Sequence, residues 1–128
     1  FCSPCTGQPG TDRSDVADVF DARTKTWTTH TLSQRRSNLA ITSVGGRYAV
    51  IGGGTTDVGE EERGFVGISR SDAVDVYDAK TNAWSVLKLS AGRCCLGAAG
   101  GNLSAAFCGG TVGQLCDVFT FPSNMRSP

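Results

Sequence analysis

Residues 73–84 have the sequence AVDVYDAKTNAW, which predicts a β-strand, a tight turn and the start of a second strand. The earlier residues 16–27, VADVFDARTKTW, have the same pattern. Three pairs of matching residues are each 57 positions apart: Asp18 and Asp75, Phe20 and Tyr77, and Trp27 and Trp84. A fixed period of this size indicates a repeat architecture. We expect the four aromatic residues to lie in the core of the repeat.

The composition is that of an ordinary globular chain without a dominant charge. It has 128 residues, with 12 Lys plus Arg balancing 12 Asp plus Glu. No net field therefore draws it to nucleic acid or to an anionic membrane. Its apolar runs are far shorter than the roughly 20 residues that a membrane helix needs. Because the sequence starts at Phe1 without a leader, we expect a fragment of a longer protein.

Further short strands are predicted between the glycines, of which there are 17. Gly45-Gly46 predicts a two-residue hairpin, because both positions tolerate positive φ. Residues 33–36 are expected to form a polar corner, and residues 54–72 a long loop without regular strands. The expected strands are 16–20, 26–32, 39–44, 48–51, 73–77 and 84–89. The apolar run 39–44 is expected to be buried on both faces.

The cycle restarts after residue 89. Arg93 matches Arg36, and Gly109-Gly110 matches Gly52-Gly53, again at a separation of 57. Asp117 follows Asp75 by only 42 positions, which a much shorter loop at residues 111–115 explains. Strict register places the intervening turn at Asn102-Leu103, whereas turn chemistry favours Gly100-Gly101.

These motifs resemble the Kelch repeat. That family has an Arg before the first strand, a Gly-Gly doublet ending the second, and an aromatic residue and a Trp around the third and fourth strands. One complete set is supplied by Arg36, Gly52-Gly53, Tyr77 and Trp84. The resemblance covers about residues 13–121 and departs at Asn102 and at the missing last Trp.

The resemblance implies an all-β fold, a partial Kelch-type β-propeller with antiparallel four-stranded blades. The expected divisions are a connecting loop (1–12), the second half of a blade (13–34), a complete blade (35–90), three strands of the next blade (91–121) and a truncated tail (122–128). The period thus predicts a central four-stranded antiparallel sheet from about residue 36 to 89. Further blades are expected as neighbours.

Two function classes follow from the resemblance. The first is a non-enzymatic scaffold that binds a protein or peptide partner through loops on one propeller face. The second is part of a propeller-based enzyme, such as a galactose-oxidase-like copper enzyme, with its catalytic residues outside this segment. Copper sites need clustered His and Tyr ligands, and the chain has one His, His30. We therefore predict no catalytic residue, no metal and no cofactor in this segment.

The candidate binding residues lie in the corners and in the long loop. Kelch propellers bind partners with the face where these elements meet. For the arginines, a structural role in bonding loop carbonyls is an equal alternative. The three consecutive glutamates lack the alternating spacing of a calcium loop, so a solvated loop is their default role. The candidates are Arg35, Arg36, Arg93, Glu60, Glu61, Glu62 and Phe65.

The six cysteines leave the redox compartment open. Cys2 and Cys5 form a single C-x-x-C pair, which does not complete a zinc site. Cys108 and Cys116 can meet across the second and third strands as a disulfide or remain buried thiols. Asn102-Leu103-Ser104 is a glycosylation sequon, which matters only in a secreted protein.

Overall fold

The computed structural model describes residues 13–58, 67–110 and 115–122, and this part of the chain is all β with no helix. Every strand pair is antiparallel. The strands are β1 (Ser14–Asp21), β2 (Thr26–Arg36), β3 (Ala40–Val44), β4 (Tyr48–Gly52), β5 (Thr55–Val58), β6 (Gly67–Arg70), β7 (Ala73–Asp78), β8 (Ala83–Lys88), β9 (Gly97–Gly100), β10 (Ser104–Cys108) and β11 (Cys116–Thr120).

The strands form three successive sheets and one separate hairpin. The N-terminal sheet is β1-β2, the central sheet has the order β3-β4-β7-β8, and the C-terminal sheet has the order β11-β10-β9. Strands β5 and β6 form a two-stranded ladder, and Thr55 of β5 also makes an isolated antiparallel bridge to Ser37. The predicted four-stranded antiparallel sheet between residues 36 and 89 is therefore confirmed.

Strand pairing extends into two of the predicted connections. Strand β2 continues through the expected corner at 33–36, but its register shifts there, because Val16 pairs with Thr31 and Ser14 pairs with Arg36, which leaves residues 32–35 of β2 opposite a single residue of β1. The expected loop at 54–72 contains the β5–β6 hairpin, whose register runs from Thr55 opposite Arg70 to Val58 opposite Gly67. The run TTDV at its start is rich in β-branched residues, which favour extended structure.

The two inner hairpins differ by one residue in their turns. Between β3 and β4, Val44 pairs with Tyr48, so the loop has three residues rather than the predicted two. Gly45 and Gly46 there have φ values of 59° and 65°. Between β9 and β10 the Gly101 amide donates to the Ser104 carbonyl at 2.9 Å, which leaves Asn102-Leu103 as the turn. The turn therefore lies at Asn102-Leu103, where the period of 57 places it, and not at Gly100-Gly101.

The shorter second turn changes which glycines correspond. Ile51 pairs with Asp75, and Phe107 pairs with Asp117, so the two repeats are offset by 56 residues after the turn. Gly109-Gly110 therefore corresponds to Gly53-Gly54, not to Gly52-Gly53. The φ angles agree, at 70° and 104° in the first doublet and 75° and 90° in the second.

The core lies between the central and C-terminal sheets. Phe107 of β10 is fully buried, and its ring packs against the backbone of Gly52, where a Cβ atom would lie 2.8 Å from the ring. Glycine at the end of β4 thus allows the two sheets to approach. The buried cluster is Val44, Val50, Val74, Val76, Leu89, Leu96, Ala105, Phe107 and Phe121.

Two predictions of burial are wrong, one for the aromatic residues of the first repeat copy and one for the run 39–44. Tyr77 is buried and Trp84 half-buried, but Phe20 is 48% and Trp27 68% exposed. No described residue covers the face of the N-terminal sheet that carries these two rings, which contact each other at 4.9 Å. Likewise Ile41 in β3 is 63% exposed, so the run 39–44 is buried on one face only.

Replacing Phe107 with Ala tests the position of the core. We expect the free energy of unfolding to fall by about 3–5 kcal/mol, because a fully buried ring leaves a cavity. Phe20→Ala is the matched control. It should lower the free energy of unfolding by no more than about 1.5 kcal/mol, the value of an aromatic pair such as Phe20 and Trp27. Urea unfolding of both variants measures the difference. Equal losses in the two variants would contradict this position of the core.

Candidate functional site

The first corner between sheets contains a buried arginine. Arg36 is 3% exposed, and its guanidinium donates to the carbonyls of Gly53 at 2.9 Å and Ala73 at 2.7 Å. The same group is hydrogen-bonded to the Asp75 carboxylate. Asp75 also accepts from the backbone amide and the hydroxyl of Ser33, both at 3.0 Å. Three segments that are distant in sequence therefore meet at one ion pair.

The second corner repeats this arrangement. Arg93 is 0% exposed and donates to the Leu115 carbonyl at 2.7 Å and the Gly109 carbonyl at 3.4 Å. Its guanidinium is also hydrogen-bonded to Asp117. Asp117 accepts from the amide and hydroxyl of Ser90, at 3.2 and 3.1 Å. Every interaction of the first corner thus has its counterpart in the second.

We call each set an Arg–Asp–Ser clasp. The first clasp is Ser33, Arg36 and Asp75, and the second is Ser90, Arg93 and Asp117. Burial lowers the pKa of Arg36 below its ordinary value, and the neighbouring Asp75 opposes that shift. Breaking such a pair leaves a charge without compensation inside the protein. The geometry therefore supports the structural alternative for Arg36 and Arg93, since both guanidinium groups are used within the fold.

The remaining predicted site residues are divided between the surface and the part that is not described. Arg35 is exposed, and its guanidinium donates to the Arg13 carbonyl at 2.9 Å. Among the three predicted arginines, it alone presents its side chain to solvent. Glu60, Glu61, Glu62 and Phe65 lie outside the described residues.

The β5–β6 hairpin is fixed to both corners at its base. Ser37 and Thr55 exchange two backbone hydrogen bonds, at 3.0 and 2.7 Å. The Gly54 amide donates to the Arg93 carbonyl at 2.8 Å, and the Gly54 carbonyl accepts from Ser71 at 2.8 Å. The expectation that this insertion lies beside the Arg35-Arg36 segment is confirmed. The hairpin that holds it there was not predicted from the sequence.

The opposite end of the central sheet carries a different ion pair. Arg47 donates to both carboxylate oxygens of Asp78, each at 2.6 Å. These hydrogen bonds are the main reason that the pKa of Asp78 lies well below its ordinary value of 3.8. The Arg47 guanidinium also lies 4.9 Å from the centre of the Tyr48 ring. The charges at this end thus serve to join the β3–β4 and β7–β8 turns.

A cleft of about 730 Å³ lies between the β1–β2 turn and the β7–β8 turn. It is lined mainly by threonines and other turn residues, including Arg23 and Lys80. The carboxylate of Asp21 accepts from the backbone amides of Arg23 and Thr24, and these bonds lower the pKa of Asp21. The acid in this cleft therefore supports its own turn.

His30 connects the N-terminal sheet with the central sheet. The indole N–H of Trp84 donates to His30 Nδ1 at 3.1 Å, so Nε2 carries the proton and donates to the Thr28 hydroxyl at 2.9 Å. The imidazole packs against the rings of Tyr77 and Trp84, at centroid distances of 5.2 and 5.6 Å, and those two rings contact each other at 5.1 Å. Both ring nitrogens of His30 therefore form hydrogen bonds within the fold, a role that was not predicted from the sequence.

Residues 13–58, 67–110 and 115–122 contain neither a metal-ligating cluster nor a membrane-spanning helix. In these residues, no group of three or more His, Cys, Asp or Glu side chains is arranged to hold a metal ion. No helix there is long and apolar enough to span a membrane. In comparisons with known proteins, neither a family model nor a curated protein matches the chain.

Replacing Asp75 with Asn tests the importance of the first clasp. We expect the free energy of unfolding to fall by about 3 kcal/mol or more, because Arg36 then lacks its buried counter-charge. Asp18→Asn is a control at the matching repeat position, where the exposed carboxylate accepts only from Thr29 at 2.8 Å among the described residues. It should change stability by less than about 1 kcal/mol. Similar urea midpoints for the two variants would show that the clasp is not a major source of stability.

Proposed function

We propose that this chain is part of a Kelch-type β-propeller and acts as a non-enzymatic scaffold that binds a protein or peptide. The binding surface in this proposal is the end of the sheets where the two corners and the β5–β6 hairpin meet. The motif order along the sequence and the two clasps support the propeller. The hairpin supports the binding function.

Repetition of the contact between sheets supports the propeller part of the proposal. The chain passes from one sheet to the next at Ser33–Arg36 and again at Ser90–Arg93, with the same hydrogen bonds each time. Aromatic residues of the C-terminal sheet pack on the face of the central sheet that carries Val74 and Val76. A repeated contact of this kind builds arrays in which each sheet covers the next.

The observation that carries the binding proposal is the β5–β6 hairpin. The equivalent connection in the next repeat, residues 111–115, is 14 residues shorter, because Gly54 and Asp75 are 21 positions apart and Gly110 and Asp117 only 7, so the repeat does not need the extra length. The hairpin nevertheless has its own ladder of four paired positions and a base bonded to both corners. Long connections held by a rigid scaffold commonly carry function. A pre-ordered base also lowers the entropy lost on binding.

The chemistry of this region suits a protein or peptide partner. The residues that join β5 to β6 include Glu60, Glu61, Glu62 and Phe65, which combine negative charge with an aromatic ring. Exposed Arg35 lies in the segment next to the hairpin base. Interfaces combine an aromatic anchor with complementary charges at the rim. Arg36 and Arg93 contribute by holding the corners, while contact with the partner falls to Arg35 and the hairpin.

Panning a random-peptide phage library on the immobilised 128-residue chain tests this function. We expect enriched peptides whose capture falls about tenfold, equivalent to about 1.4 kcal/mol, when Arg35 is replaced with Ala. Shortening the connection between Gly54 and Ser71 to the length of residues 111–115 should abolish capture.

The matched control is Lys80→Ala, which removes an exposed charge from the turn at the opposite end of the central sheet. This variant should capture the peptides as well as the wild type does. Unchanged urea midpoints must accompany each result, so that loss of binding is not loss of folding. An empty selection, or capture that depends on Lys80 and not on the hairpin, would overturn the proposal.

A further inference from the structure

The β9–β10 turn carries a modification sequence that the proposed function does not use. Asn102-Leu103-Ser104 fits the pattern Asn-x-Ser, with a residue other than Pro in the middle. The other asparagines of the chain, at positions 38, 82 and 124, do not begin such a pattern. The sequence therefore offers a single acceptor for an N-linked glycan.

The structure places this acceptor at an accessible tip. Asn102 and Leu103 form the two-residue turn, the side chain of Asn102 is exposed, and Leu103 is 47% exposed. The backbone of this turn is bonded to the β3–β4 turn, because the Gly45 amide donates to the Gly101 carbonyl at 2.9 Å. A Cβ atom on Gly45 would lie 2.8 Å from the Asn102 carbonyl oxygen. The β9–β10 turn thus contacts the β3–β4 turn through its backbone, and the side chain of Asn102 remains exposed to solvent.

The cysteines supply an independent observation about the compartment. Cys108 and Cys116 occupy directly opposed positions in β10 and β11 and form a disulfide. Cys94, which is fully buried, is also disulfide-bonded. Disulfides form and persist in secreted proteins and in the lumen of the secretory pathway, and they are rare in the cytosol. That is the compartment in which Asn-x-Ser acceptors are glycosylated.

We infer that the protein matures in the secretory pathway and that Asn102 carries an N-linked glycan. The donor is an oligosaccharide linked to a lipid pyrophosphate. The Asn102 side-chain nitrogen forms a bond to the anomeric carbon of the first sugar, and the bond from that carbon to the pyrophosphate oxygen breaks. The lipid pyrophosphate leaves, and one amide proton passes to a base. No oxidant or reductant takes part.

The position of the glycan is compatible with the proposed binding surface. Strands β3 and β9 both run from the corners toward the turns that contain Gly45 and Asn102. The glycan would therefore lie at the end of the sheets opposite the β5–β6 hairpin. It would cover exposed Leu103 and leave the corners open.

Expression of the 128-residue chain behind a secretory leader in eukaryotic cells tests acceptor use. We expect one gel-mobility shift that an N-glycan-removing amidase reverses, with conversion of Asn102 to aspartate in the peptide mass spectrum. Ser104→Thr keeps the sequon and should keep the shift. Ser104→Ala breaks the sequon and should lose it, while Cys108 and Cys116 remain oxidised in both variants.

The same peptide analysis on protein from its own source tests natural use of the site. Glycosylated Asn102 together with oxidised Cys108 and Cys116 supports the inference. Unmodified Asn102 overturns it, whether the cysteines are oxidised or reduced. In the recombinant experiment, a wild-type chain without the shift in both the secreted and the cell-retained pools also overturns it, as does a shift that persists in Ser104→Ala.

Discussion

The ion pair between a buried arginine and an aspartate, found once in the central sheet and once in the C-terminal sheet, is the interaction on which the structure depends. An arginine without a counter-charge is very costly to bury, and Arg36 lies among backbone groups with almost no contact with water. The Asp75 carboxylate and two carbonyls offset that cost by accepting most of the guanidinium hydrogens. Because the Gly53 and Ala73 carbonyls lie at the two ends of the β4–β7 connection, the pair fixes both the corner and the insertion between them.

The period of 57 was sufficient to predict the central sheet, because motif spacing reports strand order directly. It could not predict the burial of Arg36, which requires residues 33–36, 53 and 73–75 to meet in space. It also could not predict the exposure of Trp27 and Ile41, because exposure depends on which faces neighbouring sheets cover. The β5–β6 hairpin was missed because the polar connection between its short strands hides their extended pattern. The one-residue change in the β9–β10 turn likewise shifted the glycine match.

The two ends of the sheets differ in what they present. At one end, the clasps use their arginines internally and support a hairpin whose connecting residues are acidic and aromatic in sequence. At the other end, the Arg47–Asp78 pair joins two turns, and the asparagine at a third turn faces solvent. This division separates the proposed binding surface from the proposed site of glycan attachment.

Crossed double-mutant cycles on the clasps test this account most directly. Arg36 and Arg93 would each be replaced with Met, and Asp75 and Asp117 with Leu, singly and in all pairs. The account predicts a coupling energy of about 2 kcal/mol or more for Arg36 with Asp75 and for Arg93 with Asp117. The crossed pairs, Arg36 with Asp117 and Arg93 with Asp75, should be additive within about 0.5 kcal/mol. Equal coupling in matched and crossed pairs would contradict the claim that each clasp holds its own corner.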